Sequence, residues 1–261
     1  MSILSNGLLV TLIGGGAVAD VEFDTEFLVI AGGVNGSSSV PGPKYAGGAG
    51  QYISTVSGET TGGNGSAGSG RTLLASAAST PTYSVTVGAT QSQSVFSGSE
   101  ADGTSFTYTA STGSGKTSGD GFTGGSQYMP SNQCLKVNFY GDSFCVGAYT
   151  GGGGGASAAG SGQDGGSGIQ SSITGTATFY AGGGQSPTYN GTNGTAGNGA
   201  TNFGGGGSGA AGQPGAVILR YPNTVTISNP GGGLTMSTAV VGSNNVTTIT
   251  AGTGNIKFTP A

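Results

Sequence analysis

Few residues in this chain are of types that do chemistry, and they are thinly spread. Ala110 to Thr117 reads ASTGSGKT, which fits a relaxed phosphate-loop spacing, with Ala110 first and Gly115, Lys116 and Thr117 closing it. Such a loop cradles phosphate only when it opens a helix whose free N–H groups face the anion. The residues that follow, SGDGFTGGSQ, are poor helix formers, and no apolar strand ending in Asp supplies a magnesium ligand in the usual context. A chance match in a chain rich in Gly, Ser and Thr is the expected reading.

The other candidates also have bland explanations. Asp20, Glu22, Asp24 and Glu26 alternate with Val21, Phe23, Thr25 and Phe27, so four carboxylates share one strand face. They could coordinate calcium, but a solvated face whose charges guard a strand edge is the expectation. Cys134 and Cys145 flank a hairpin with Gly141-Asp142 at its tip, glycine first suiting a type II′ turn. In that register Tyr140 faces Ser143, Cys145 faces Asn138 and Cys134 faces Tyr149. The sulfurs would lie roughly 13 Å out of step, so two free thiols are expected within the chain, with pairing to other chains left open. Two Cys and no His cannot complete a four-ligand zinc site. Asn190 and Asn193 match glycosylation sequons, yet in this composition they read as turns.

No imidazole is available, since the chain has no His, and no carboxylates pair outside the acidic strand. Catalysis therefore lacks parts, and no enzyme, metal or cofactor is expected. Six Lys and Arg against ten Asp and Glu, a net charge of -4, give no basic stripe for nucleic acid.

The elements that must position these residues are β-strands. Glycine accounts for 59 of 261 residues, and each would cost a helix about 1 kcal/mol relative to Ala, so an all-β chain is expected. Disorder is disfavoured, because charged residues are 6% and Tyr and Phe number 10 each. Strand signals, β-branched and aromatic runs bounded by Gly, Pro, Asn or Ser, fall at 27–31, 52–56, 83–87, 106–110, 135–140, 144–149, 176–181 and 216–221. After Pro222 the chain turns Thr- and Val-rich, with TVTIS, LTMSTAVV, NVTTIT and NIKFT separated by NPGGG, GSNN and AGTGN turns; a C-terminal antiparallel meander is expected over 223–261.

The first twenty residues hold an apolar run with an Ala-x-Ala site at Ala17 to Ala19, but no Lys or Arg precedes it and three glycines interrupt it. It is short for a membrane span, which needs about 20 mostly apolar residues. A buried terminal strand or a docking segment for a partner chain, through Ile3, Leu4, Leu8 and Leu9, is expected, with no membrane insertion.

Between the strands lie glycine tracts without a Gly-X-Y repeat, which excludes collagen. Lacking Cβ atoms, extended glycine backbones can approach closely and pair N–H with C=O from segment to segment. Aromatics in the tracts, Tyr45, Tyr128, Tyr189 and Phe203, either form a carbohydrate- or protein-contacting surface or plug the ends of such a lattice.

FLVIAGG (Phe27 to Gly33), YAGGAG (Tyr45 to Gly50), TYSVTVGA (Thr82 to Ala89), GGGGG (Gly151 to Gly155), FYAGGG (Phe179 to Gly184) and GGGGSGAAGQPGAVILRYP (Gly204 to Pro222) together resemble the glycine-rich domain of bacteriophage virion proteins, notably tail-fibre and tail-tip adhesins. The resemblance covers about Asp20 to Pro222. It implies a jelly-roll-like β-sandwich over 21–222 with inserted polyglycine segments of polyproline-II type. It also implies a virion protein exposed on the particle: a tail-fibre or tail-tip component presenting loops to a host glycan or outer-membrane protein, or a capsid decoration or head-fibre subunit. The N-terminal 1–20 would dock on other virion proteins, and a homo-oligomer, most often a trimer, goes with fibre-associated β proteins.

Overall fold

A computed structural model describes residues 3–5, 8–10, 19–37, 45–63, 68–77, 81–123, 127–128, 135–139, 142–146, 149–186 and 194–261. The strands of the first half are β1 (Ile3–Ser5), β2 (Leu8–Val10), β3 (Val21–Ile30), β4 (Tyr52–Ser54), β5 (Arg71–Ala75), β6 (Tyr83–Val87), β7 (Ser94–Ser99) and β8 (Ser105–Ala110). The second half adds β9 (Gln127–Tyr128), β10 (Leu135–Phe139), β11 (Asp142–Val146), β12 (Tyr149–Thr150), β13 (Ile169–Ser171), β14 (Thr178–Tyr180), β15 (Ala216–Pro222), β16 (Val225–Ser228), β17 (Leu234–Val241) and β18 (Asn244–Pro260). The fold is all-β and its paired strands are antiparallel, with no helix among the described residues.

Twelve strands form one hydrogen-bonded network in the order β1-β2-β3-β15-β18-β6-β7-β8, with β4 and β5 also on β3 and β16 and β17 on β18. Two strands are long enough to change partners along their length. Val21 to Thr25 of β3 pair with β5, while Leu28 to Ile30 pair with β4. Asn244 to Ile249 of β18 pair with both β15 and β17, Gly252 to Ile256 with β6, and Lys257 to Pro260 with β16. The AGTGN stretch, expected as a turn, is therefore strand. Gly252 makes this possible: it has φ +100, and a Cβ there would fall 1.8 Å from the Gly233 oxygen. Residues 223–261 are antiparallel, as expected, and hydrogen-bond into the main sheet.

The central strands are buried on both faces, which explains their unbroken apolar runs. In β3, Phe23, Phe27 and Val29 face one cluster with Val217, Leu219 and Tyr221 of β15 and Tyr83, Phe96, Phe106 and Phe258. Its rings meet edge-on, Phe23 with Phe258 at 4.9 Å and Phe27 with Phe96 at 5.0 Å, a favoured aromatic geometry. Leu28 and Ile30 point the other way, with Ile218, into a second cluster that includes Tyr52, Ile169, Ile173 and Tyr180. Small residues of the glycine tracts, Ala49, Ala156 and Ala181, complete that second cluster.

The tracts lie over this face as a backbone lattice. Along residues 46–51 the donors rotate among three neighbouring passes. Ala46 and Ala49 donate to Gly151 and Gly154, Gly47 and Gly50 to Gly207 and Gly204, and Gly48 and Gln51 to Gly115 and Ser111, all at 2.8–3.0 Å. A period of three is that of a polyproline-II helix, whose peptide groups point outward in three directions. The same period recurs where Ala31, Val34 and Ser37 donate to Gln51, Gly48 and Tyr45, and where Gly183 and Ser186 donate to Gly166 and Gln163. The buried peptide groups of these passes find partners laterally rather than within the segment.

One hairpin differs in register from the expectation. Phe139 pairs with Asp142 and Lys136 with Cys145, so Cys145 is opposite Lys136 rather than Asn138. Cys134 lies outside the described residues.

Candidate functional site

The residues picked out by sequence separate once the chain folds. The ASTGSGKT segment leaves β8 and turns back on itself, with Ser114 and Thr117 exchanging backbone hydrogen bonds at 2.9 Å and Gly115 at φ +54. Its Gly115 and Lys116 carbonyls accept from Gly48 and Gly154. The loop is therefore an edge of the lattice, and the described residues that follow, 118–123, form no helix to present N–H groups to a phosphate.

On the acidic strand face Asp20 and Asp24 are exposed, as on a solvated face, while Glu22 and Glu26 are partly buried. Glu26 lies opposite Arg220 in the β3–β15 register; Arg220 Nε donates to Glu26 Oε2 at 2.8 Å, Nη2 bonds the same oxygen, and Ser57 N donates to Oε1 at 2.9 Å. Asp24 accepts from the Thr72 hydroxyl at 2.8 Å. Glu59 accepts from both the amide and the hydroxyl of Ser172. Asp24, Glu26, Ser57, Glu59 and Arg220 border an open cleft of about 660 Å³. Among the described residues no group of three His, Cys, Asp or Glu could hold a metal ion.

Tyr45 and Phe203 lie toward opposite ends of the lattice passes. Tyr45 is half-buried and pairs through its backbone with Ser37, at the end of the 45–51 segment far from the sandwich. Phe203 lies at the near end, because the 204–207 pass runs antiparallel to 47–50 and Gly204 meets Gly50. Tyr128 is in β9, opposite Tyr149 of β12. Tyr189 lies outside the described residues. Of the docking candidates, Ile3 and Leu4 are in β1 and Leu8 and Leu9 in β2, with Leu4 opposite Leu9, and Val10 joins the hairpin to β3 at Val21.

Phe203 lines a concave site. Its ring is nearly parallel to that of Tyr180, 8° at 6.5 Å between centroids, and Tyr180 in turn stacks with Tyr52 at 6.5 Å and 20°. The two rings border a cleft of about 280 Å³ rimmed by Thr178, Thr201, Asn202, Gln213 and Pro214. Backbone bonds hold its walls: Ala181 donates to the Phe203 carbonyl at 3.0 Å, Gly204 to Pro214 at 2.8 Å and Gln213 to Gly205 at 2.7 Å. The Asn202 amide is fixed by donating to the Phe179 carbonyl at 2.7 Å. Burial pushes the Tyr180 phenol above the ordinary tyrosine range. Sequence reading reached Phe203 but missed its neighbours. Alternation along Thr178-Phe179-Tyr180 could have placed Thr178 and Tyr180 on one face, whereas nothing local brings Gln213 to them.

No family model, curated protein or solved structure matches the chain.

Proposed function

We propose that this protein is a structural component of a bacteriophage virion, a tail-fibre or tail-tip subunit that presents surfaces for host attachment. The observation that carries the reading is the period-three rotation of hydrogen bonds along residues 46–51. It supports a rigid body built from main chain, thin in side chains and poor in sites for proteases, as an exposed particle component requires. The motif likeness from Phe27 to Pro222 to phage glycine-rich domains points the same way. The chemistry fits a structural role rather than catalysis, since the carboxylates Glu26 and Glu100 are engaged by Arg220 and Arg71.

In this reading residues 1–20 dock on other virion proteins, the chain assembles as a homotrimer, and the lattice end that carries Tyr45 points away from the particle. The test is mass spectrometry of purified particles followed by a density map of the intact virion. Density at the distal end of a fibre is the expected result. A place on the capsid lattice in a five- or six-fold environment would convert the role to decoration or head fibre, and absence from the particle would end the virion reading altogether.

A further inference from the structure

We infer that the cleft between Phe203 and Gln213 binds a neutral saccharide ring. This rests on the adhesive reading above and gives its ligand a chemical class. The lining holds no Asp, Glu, Lys or Arg, so a charged ligand would lose hydration there without gaining an opposite charge. The half-buried Phe203 ring, backed by the buried Tyr180 ring, offers the flat apolar surface on which the C–H face of a pyranose lies. Around it stand four uncharged hydrogen-bonding side chains, Thr178, Thr201, Asn202 and Gln213, which donate and accept as sugar hydroxyls do.

Size and rigidity agree with this class. A cleft of about 280 Å³ is at the small end of ligand pockets, enough for one or two sugar units rather than a folded partner. Asn202 commits its amide nitrogen to the Phe179 carbonyl, which leaves Oδ1 as an acceptor in a fixed orientation. Phe203 is held from both sides of the chain, through its own carbonyl bonded by Ala181 and through the Gly204 amide bonded to Pro214. A site with pre-set donors, acceptors and ring loses little entropy on binding.

The experiment titrates the full chain, labelled with fluorophenylalanine, with methyl glycosides of glucose, galactose and N-acetylglucosamine. Sialic acid and a proline-rich peptide serve as comparators. The Phe203 resonance, assigned by its loss in Phe203→Tyr, is expected to shift saturably with at least one neutral glycoside and not with the comparators. With variant affinities read by isothermal titration calorimetry, Phe203→Ala should weaken binding about tenfold and Gln213→Ala about threefold, while Phe203→Tyr retains it. Gln213 is half-exposed, so its variant reports on binding even if Phe203→Ala fails to fold. No shift with any neutral glycoside, an unchanged affinity in Gln213→Ala, or a response to the peptide or sialic acid alone would overturn the inference. The titration uses isolated protein, so a silent result with the protein present in the particle sinks this inference and not the virion reading, and the reverse pair of results does the opposite.

Discussion

The carbonyl oxygen of Gly47 occupies the space that a side chain on Gly153 would need: a Cβ on Gly153 would lie 1.9 Å from it. The same oxygen would be 2.0 Å from a Cβ on Gly206, and it accepts the Gly184 amide at 3.2 Å. Four passes of the chain thus converge on one peptide group, and only glycine permits that approach.

Gly153→Ala is accordingly expected to destabilise the protein by about 2–3 kcal/mol, since the Gly47–Gly48 peptide must shift to admit a methyl group. Gly231→Ala, at a position with nothing within 4 Å, should change stability by less than about 0.5 kcal/mol. Urea unfolding of both variants makes the comparison; equal effects would mean that close packing of the lattice contributes nothing.

Hydrogen exchange offers a direct reading of the lattice. The amides of Gly47, Gly48, Gly183 and Gly206 are each donated to another pass. They should exchange slowly, in the range of the β3 and β15 amides, although their sequence reads like a flexible linker. Exchange within seconds would contradict the lateral bonding.

Ser94 ties the start of β7 to the end of β3 and to the residue that follows β6. Its hydroxyl donates to the Ile30 carbonyl at 2.7 Å and accepts from the Gly88 amide at 2.9 Å, fully buried. Ser94→Ala leaves that amide without its partner, and a loss of about 1–3 kcal/mol in thermal or urea unfolding is expected.

Alkaline pH should unfold the protein through its buried phenols. Burial raises the pKa of Tyr52, Tyr83, Tyr180 and Tyr221 above the ordinary tyrosine value. In the unfolded chain these groups lose protons near the usual pKa of about 10, while the native state still holds them. The unfolded state then binds fewer protons, so stability is complete below about pH 10 and declines as pH rises toward the native values. Unfolding free energies measured across that range, with tyrosinate absorbance followed in parallel, check it; stability that stays level above pH 10 would refute it.

The strand segments and their burial were legible in sequence. FLVIA and AVILRY are uninterrupted apolar runs because β3 and β15 are covered on both faces, and the acidic alternation before them marks where one face opens to polar partners. β5 and β7 were missed, since RTLLA and SVFSGS are brief and diluted by polar or small residues. The AGTGN stretch read as a turn, because Gly and Asn favour turns locally; the pairing of β18 with β6 on one side and β17 on the other overrode that preference.

By itself, then, the sequence determined an all-β chain, the positions of its main strands, and the freedom of its glycine tracts to pack without side chains. Only the tertiary structure decided which pass lies beside which. Gly47 meets Gly207 and Gly153 meets Gly184 because the strands that flank the tracts anchor them at fixed places in the sheet. Glycine has no side chain with which to specify a neighbour, so the partner of each peptide group, and with it the meeting of Phe203, Tyr180 and Gln213, is written in the anchors rather than in the tracts themselves.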